Sequence, residues 1–518
     1  MKNYKYIGLL LLSIGFTSCD VNNELDAIPA EVVPEVVLNT GGLDFSKFVS
    51  VGASFTAGFT DGGLFKAAQE NSFPNILAGK FGISTSFNQP LMNDNIGGLL
   101  LGGNVIQGPR LYFNGAGPVR LGATPTTEVT TNVSGDLNNF GVPGAKSFHL
   151  LAPGYGNVAG IALGLANPYY ARMASSPSAT VIGDAMAQNP TFFTLSEIGG
   201  NDVLGYALSG GSGVDQSPSA GNPTGNLDPS TYGGTDITNP LVFGQVFNGM
   251  VATLTSGGAK GVVANVPYIT SLSHFTTVPY NPIPVSVGLA AQLNGAYALY
   301  NGGIQQAFAY LVAVTPMTQE MADAEIAKRT ISFSPGQNAV VIMDESLTDL
   351  TAINAGLVSM RLATADDLLV LTSSSFIGTL ADPSNPSSVN GVGVPLADKW
   401  VITPEEQVAI KTATDAYNGI IEATAAANAN IVMVDFKGLL QEASTSGIMF
   451  DDYTMTTSLV TGGLISLDGV HLTARGYALM ANKILAAMDA EFGSNFTMAT
   501  GGLAKAGDYP TNYSPLLK

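Results

Sequence analysis

Residues 48–54 have the sequence Phe-Val-Ser-Val-Gly-Ala-Ser, a short β-rich run that ends at a glycine and is followed at once by a serine. Runs of this composition are typical of strands buried in a parallel sheet. A serine at the turn from a strand to a helix exposes its hydroxyl near the positive end of that helix. The run therefore predicts a first sheet strand and a candidate nucleophile, Ser54, although a helix N-cap serine gives the same pattern.

Four further apolar runs have the length and composition of strands: residues 191–198, 261–266, 339–343 and 431–434. Amphipathic helices are predicted in four other segments: 246–254, 289–308, 403–425 and 477–488. Thr403 followed by Pro404 is a typical helix start. The alternation of strands and helices predicts an α/β fold, a three-layer sandwich around a central parallel sheet.

The first residues have the three parts of a signal peptide: Lys2 and Lys5, an apolar run from Tyr6 to Phe16, and Thr17-Ser18-Cys19. The run is too short to span a bilayer. Cys19 is the single cysteine, so no disulfide can form within the chain. A small residue before a lone cysteine resembles the lipobox of bacterial lipoproteins, and an ordinary signal peptide with a stray cysteine is the alternative. The resemblance implies an exported protein, lipid-anchored through Cys19 to a bacterial membrane, the outer membrane by expectation.

We expect three parts: a signal peptide at residues 1–18, a lipidated N-terminus and flexible stalk at 19–43, and one domain at 44–518. Three segments do not fit the strand and helix alternation and are predicted to be insertions, at about 95–135, 205–240 and 316–400. The chain carries 39 acidic and 20 basic residues, a net charge of −19. Such a charge argues against a nucleic-acid partner, which needs a basic surface.

Three other segments carry residues suited to acyl-transfer chemistry. Asp468 stands three residues before His471, from where it can hold the ring nitrogen that faces away from a substrate. Asn201 follows the strand at 191–198, and its amide can donate to an oxyanion. Residues 139–144 form a turn whose backbone can offer another N–H group. Each segment alone has an ordinary explanation, a solvated turn or an Asx turn.

Taken in order, these four segments resemble the blocks of SGNH (GDSL-like) hydrolases: Gly-Asp-Ser, Asn-x-x-x-x-Gly, Gly-x-Asn-Asp and Asp-x-x-His. The resemblance covers roughly residues 45–270 and 400–490 and implies a flavodoxin-like sandwich. It implies that Ser54 is the nucleophile, His471 the general base and acid, and Asp468 the residue that orients His471. The oxyanion hole would comprise the N–H groups of Ser54 and Gly144 and the side chain of Asn201.

Ala53 departs from the family pattern, because it replaces the aspartate of the Gly-Asp-Ser block. That aspartate is not a triad member, so the resemblance still implies a serine esterase or lipase. Its substrate would be an ester, of a lipid or of an acylated carbohydrate. Two alternatives stay open, a carbohydrate O-deacetylase and a binding or transport-accessory lipoprotein without turnover. No cofactor and no metal site are predicted, His149 and His274 are expected to be structural or solvated, and the oligomeric state stays open.

Overall fold

The computed structural model describes residues 35–518. The predicted signal peptide, Cys19 and most of the predicted stalk lie outside the described residues. Within 35–518, no helix is both long and apolar enough to cross a membrane. Residues Leu38 to Lys518 form one compact unit.

The strands follow one another along the chain as β1 (Phe48–Gly52), β2 (Leu99–Leu101), β3 (Asn104–Gln107), β4 (Leu111–Phe113), β5 (Pro118–Arg120), β6 (Asn139–Gly141), β7 (Phe192–Leu195), β8 (Lys260–Ala264), β9 (Ile283–Val285), β10 (Gly336–Asn338), β11 (Val341–Met343), β12 (Met360–Leu362), β13 (Leu368–Leu369), β14 (Val401–Ile402), β15 (Ile431–Val434), β16 (Ile448–Phe450) and β17 (Tyr453–Met455).

The α-helices are α1 (Ser54–Ala57), α2 (Lys66–Glu70), α3 (Phe73–Lys80), α4 (Pro168–Ala171), α5 (Val181–Ala187), α6 (Gly200–Leu208), α7 (Pro240–Thr255), α8 (Ser273–Thr276), α9 (Val287–Val314), α10 (Gln319–Arg329), α11 (Pro404–Ala426), α12 (Phe436–Thr445) and α13 (Ala474–Phe492). Short 3-10 helices lie at Ser147–Leu151, Val158–Leu163, Pro229–Thr231, Ile269–Ser271, Leu371–Ser375, Asp398–Trp400 and Ala506–Asp508.

Five strands form the central sheet in the order β15-β8-β7-β1-β6, and every neighbouring pair is parallel. All five residues of β1 are buried, as expected for a strand inside such a sheet. Ser50 on β1 lies between Thr194 and Asn139, and its hydroxyl is 2.5 Å from that of Thr194. The predicted parallel sheet is confirmed, but the edge strand β6 occupies a segment that the sequence predicted to be only a turn.

Helices cover both faces of this sheet. Helices α3 and α13 pack against each other on one side, and α7 and α11 pair on the other. The start of α11 follows the predicted pattern, because Thr403 caps the helix and forms a reciprocal capping box with Glu406. The three-layer α/β sandwich predicted from the sequence is thus confirmed.

A second hydrophobic cluster lies between Ile283 and Val401 in the chain and is built on α9. The buried face of α9 does not follow a regular spacing of apolar residues along the sequence: Tyr297 is buried, while its neighbour Ala296 is exposed. The strand predicted at 339–343 was expected in the parallel sheet, and this expectation is wrong. Strand β11 does form there, but it pairs antiparallel with β12 outside the central sheet. Periodicity detects a buried strand but does not specify its partner.

Candidate active site

The turn between β17 and α13 holds an Asp–His pair. The His471 ring nitrogen Nδ1 lies 2.9 Å from Asp468 Oδ2, which also accepts from the Gly62 N–H at 2.7 Å. Asp468 Oδ1 accepts from the backbone N–H groups of Val470 and His471, each at 2.9 Å, and from the Ser466 hydroxyl at 3.1 Å. Because an ionised carboxylate only accepts hydrogen bonds, Nδ1 must carry the proton, which leaves Nε2 as the basic nitrogen of the neutral ring.

The hydrogen-bond donors around Asp468 determine whether its carboxyl group is charged. Burial alone would raise the pKa of Asp468, but the His471 ring and the surrounding N–H groups outweigh it and hold that pKa well below its usual range. Asp61 lies close by, and burial raises its pKa to about 7, with Asp468 adding to the effect. Asp468 is therefore the carboxylate that stays charged here.

Ser54 begins α1 directly after β1, as the sequence predicted. As the first residue of a helix, it has a backbone N–H without an intrahelical partner. The turn is tight at Gly52, where a β-carbon would fall 2.2 Å from the Thr56 hydroxyl and 2.7 Å from the Ser196 carbonyl. Glycine at position 52 is what allows the serine to follow the strand so closely.

Glu197 completes this turn and was missed by the sequence reasoning. Its Oε1 accepts from the N–H groups of Ala53 at 2.5 Å and Thr56 at 3.0 Å. It thereby caps α1 from a different part of the chain, since Ala53 has no side chain that could do so. Burial raises the pKa of Glu197 to about 7, and its backbone lies in the left-handed region with φ 52°. A non-glycine residue in that region marks a constrained position.

Asn201 and Gly144 lie on neighbouring segments at the carboxyl edge of the sheet. The Asn201 side-chain nitrogen donates to the Ala145 carbonyl at 2.9 Å, which uses one of its two hydrogens. Gly144 is exposed, and its N–H donates to no group in the described part of the chain. Asp202 fixes both segments, because its buried carboxylate accepts from the Ser147 N–H at 3.0 Å and the Ser147 hydroxyl at 2.7 Å.

A pocket brings some of these groups together, but neither Asp468 nor Gly144 is among its lining residues. Ser54, Asn201 and His471 line it together, with Glu197 at its wall. Most of the remaining wall is aliphatic or aromatic: Phe55, Leu204, Val266, Ile269, Leu272, Phe436, Leu439, Leu440, Leu464, Ile465, Val470, Leu472 and Met480. With its open mouth the pocket encloses about 920 Å³. None of the three predicted insertion segments contributes to this lining.

The two remaining histidines lie apart from the pocket lining. His274 is buried behind the Asp468 turn: its N–H donates to the Gly469 carbonyl at 3.0 Å, and its Nδ1 is 3.2 Å from the Asp468 carbonyl. His149 stacks on Tyr155, with ring centroids 4.4 Å apart, and burial lowers its pKa to about 4. His149 is therefore neutral at neutral pH.

A segment of the chain is similar to a known protein family. The model of the family described as GDSL-like lipase/acylhydrolase matches residues 381–484, a segment that contains Asp468 and His471 but not Ser54. No curated protein and no solved structure matches the chain.

Proposed function

We propose that the chain is a serine ester hydrolase with Ser54, His471 and Asp468 as its triad, in line with the GDSL-like lipase/acylhydrolase family whose model matches residues 381–484. The observation that supports the assignment most is the hydrogen-bonded Asp468–His471 pair, whose histidine lines the same pocket as Ser54. The family supplies the reaction class, the hydrolysis of an ester.

The proposed reaction begins when Ser54 Oγ attacks the ester carbonyl and His471 Nε2 takes its proton. Asp468 stabilises the imidazolium that forms. Negative charge on the carbonyl oxygen would be met by the N–H groups of Ser54 and Gly144 and by the free hydrogen of the Asn201 amide. His471 then returns the proton to the departing alcohol, and water, activated by the same ring, releases the acid from Ser54.

The test combines a serine-directed fluorophosphonate with an ester panel from acetyl to long acyl. We expect the label on Ser54, and we expect Ser54→Ala to lose both labelling and hydrolysis. Ser50→Ala is the matched control, because it removes a buried hydroxyl from β1, the strand that precedes Ser54, outside the pocket lining. A folded protein that neither labels nor hydrolyses any ester of the panel would favour the binding lipoprotein instead.

We propose an acyl chain as the occupant of the apolar pocket, which favours a lipase-like substrate over an acetylated sugar. Each buried methylene gains about 0.8 kcal/mol, so kcat/KM should rise about fourfold per methylene until the pocket is full. Leu204→Trp should abolish this rise and spare acetyl esters. Leu208→Trp, one turn further along α6 and exposed, is the control. A chain-length profile that is flat in the parent protein would contradict the acyl pocket without contradicting the triad.

We also propose that Cys19 is lipidated and anchors the exported protein to a bacterial membrane, by expectation the outer membrane. The support is the apolar run from Tyr6 to Phe16, which ends just before Cys19, the single cysteine of the sequence. Cys19→Ala should move the protein from the membrane fraction to the soluble fraction. Material that stays equally firmly in the membrane fraction would contradict the anchor.

A further inference from the structure

Three carboxylates from distant parts of the chain meet where the second hydrophobic cluster joins the core. Glu345 follows β11, Asp398 begins the 3-10 helix before β14, and Glu406 lies in the first turn of α11. One oxygen from each of the three lies within 4.8 Å of the others. Proximity of acidic groups alone does not make a site, so the surroundings of each oxygen matter.

The Glu406 side chain is the deepest of the three, and its residue is only 5% exposed. Its Oε2 is held by Thr403, from the N–H at 2.6 Å and the hydroxyl at 2.9 Å. Its Oε1 is buried and accepts from no N–H or hydroxyl donor among residues 35–518, and the same holds for Asp398 Oδ1. The Glu406 side chain instead faces the carboxylate of Glu345. Buried carboxylate oxygens without a donor are rare because their desolvation is not repaid.

Protein cations do not neutralise this cluster. In the described part of the chain, no lysine, arginine or histidine nitrogen lies within 4.0 Å of the three carboxylates. The neighbouring Arg361 is committed to Asp344 and Asp367, with contacts of 2.5 and 2.7 Å. Lys399 extends over the Trp400 ring instead. The three carboxylates therefore have no cationic partner within the described part of the chain.

Backbone closes the buried side of the cluster. Gly211 approaches so closely that a β-carbon there would fall 1.8 Å from Glu406 Oε1. Glu345, by contrast, is exposed, so the cluster is open to solvent on that side. An ion could enter from there and keep water ligands on that side.

From this geometry we propose that Glu345, Asp398 and Glu406 bind a Ca²⁺ ion that joins the second hydrophobic cluster to α11. Ca²⁺ takes oxygen ligands at about 2.3–2.6 Å, so ligands on opposite sides of the ion are roughly 5 Å apart, which suits the observed spacing. The ion would supply the partner that Glu406 Oε1 and Asp398 Oδ1 lack. The proposal is independent of the ester hydrolase activity.

The experiment uses the purified full chain, stripped with EDTA and titrated with CaCl₂ by calorimetry and by thermal melting. We expect one Ca²⁺ per chain, with a Kd on the order of 10⁻⁴ to 10⁻³ M or tighter, and a melting temperature that rises with Ca²⁺. MgCl₂ at the same concentration should give a smaller shift, and KCl of matched ionic strength none.

Glu406→Gln isolates the charge, because glutamine can still accept from Thr403 in the capping box. It should weaken Ca²⁺ binding at least tenfold and remove most of the shift in melting temperature. Glu405→Gln is the matched control, since it changes the adjacent exposed carboxylate. Asp398→Asn serves as a second variant if Glu406→Gln does not fold.

Three results would overturn the proposal: no stoichiometric Ca²⁺ binding, an equal response to Mg²⁺, or Glu406→Gln binding Ca²⁺ like the parent. A parent that ignores Ca²⁺ while Glu406→Gln melts at a higher temperature would show that protons, not a metal, neutralise the cluster.

Discussion

The Asp468 turn and the junction cluster of Glu345, Asp398 and Glu406 both bury carboxylates, but they differ in what surrounds them. Asp468 accepts five hydrogen bonds, and burial is outweighed so that its pKa lies well below the usual range. At the junction, burial and neighbouring carboxylates raise the pKa of Asp398 to about 7 and that of Glu406 well above its usual value. A buried carboxylate that accepts several hydrogen bonds stays ionised in the folded protein. A buried carboxylate without such donors needs a proton or a cation from solution.

Asp468→Asn changes the carboxylate that accepts many hydrogen bonds, and we expect it to have the largest effect on kcat. An amide can no longer stabilise the imidazolium, and its NH₂ group opposes donors such as the Gly62 N–H. We expect kcat to fall about 10³- to 10⁴-fold, as for the aspartate of a serine protease triad, with a smaller change in KM. Steady-state kinetics on a short-chain ester measures the split.

Asp382→Asn is the control for that variant, because Asp382 is also an aspartate that accepts from a local turn, at Ser384, but lies on the surface far along the chain from the triad. Its kinetics should match the parent. An Asp468→Asn enzyme with parental kcat would remove Asp468 from the triad and leave the hydrolase assignment to rest on Ser54 alone.

How much of this comparison could be predicted depends on sequence distance. Asp468 and His471 are three residues apart, so the pair was visible in the sequence as a motif. Glu197 was not, because the N–H groups it holds, on Ala53 and Thr56, lie 144 and 141 positions away. A lone acidic residue after a strand carries no local signal of its partner.

Sequence distance also decides which parts of the fold were predicted. Periodicity predicted β15 at Ile431–Val434 with its observed bounds, because a buried strand of a parallel sheet is continuously apolar. It could not predict that β11 pairs outside the sheet, since strand pairing is a tertiary choice. Strand β6 was missed because three residues beside Pro143 carry too little pattern.

Asn201→Ala removes a proposed hydrogen-bond donor of the active site, whereas Asp468→Asn changes an acceptor. The amide has one hydrogen on the Ala145 carbonyl and one left for an oxyanion. We expect kcat to fall about 10²- to 10³-fold, as for loss of one oxyanion-hole donor, with a parental melting temperature within a few degrees. Asn201→Asp should be equally impaired, because it replaces the donor with an acceptor. A variant that loses only substrate affinity would place Asn201 in the binding pocket instead of the oxyanion hole.

The smallest expected effect concerns Glu197, which combines features of both sites: its Oε1 holds two backbone donors, whereas its Oε2 is buried without a donor among residues 35–518. Glu197→Ala removes the cap of α1, so we expect a loss of about 1–3 kcal/mol in unfolding free energy and a kcat reduced about tenfold through displacement of Ser54.

Glu197→Gln removes the charge but keeps an oxygen that can accept from Ala53 and Thr56. Its kcat should therefore be close to that of the parent, unlike that of Glu197→Ala.

The pH dependence of stability gives the second readout. Because burial raises the pKa of Glu197 to about 7 in the folded state, above its unfolded value, ionising it opposes folding at and above pH 7. Stability from this group should therefore increase as pH falls from about 7 toward the unfolded pKa, and Glu197→Gln should flatten that slope in denaturant titrations. An unchanged slope would mean that Glu197 holds the serine turn as a charged group whose folded pKa is not raised. In that case Glu197→Gln should also fail to restore kcat, because the charge itself would be what fixes Ala53 and Thr56.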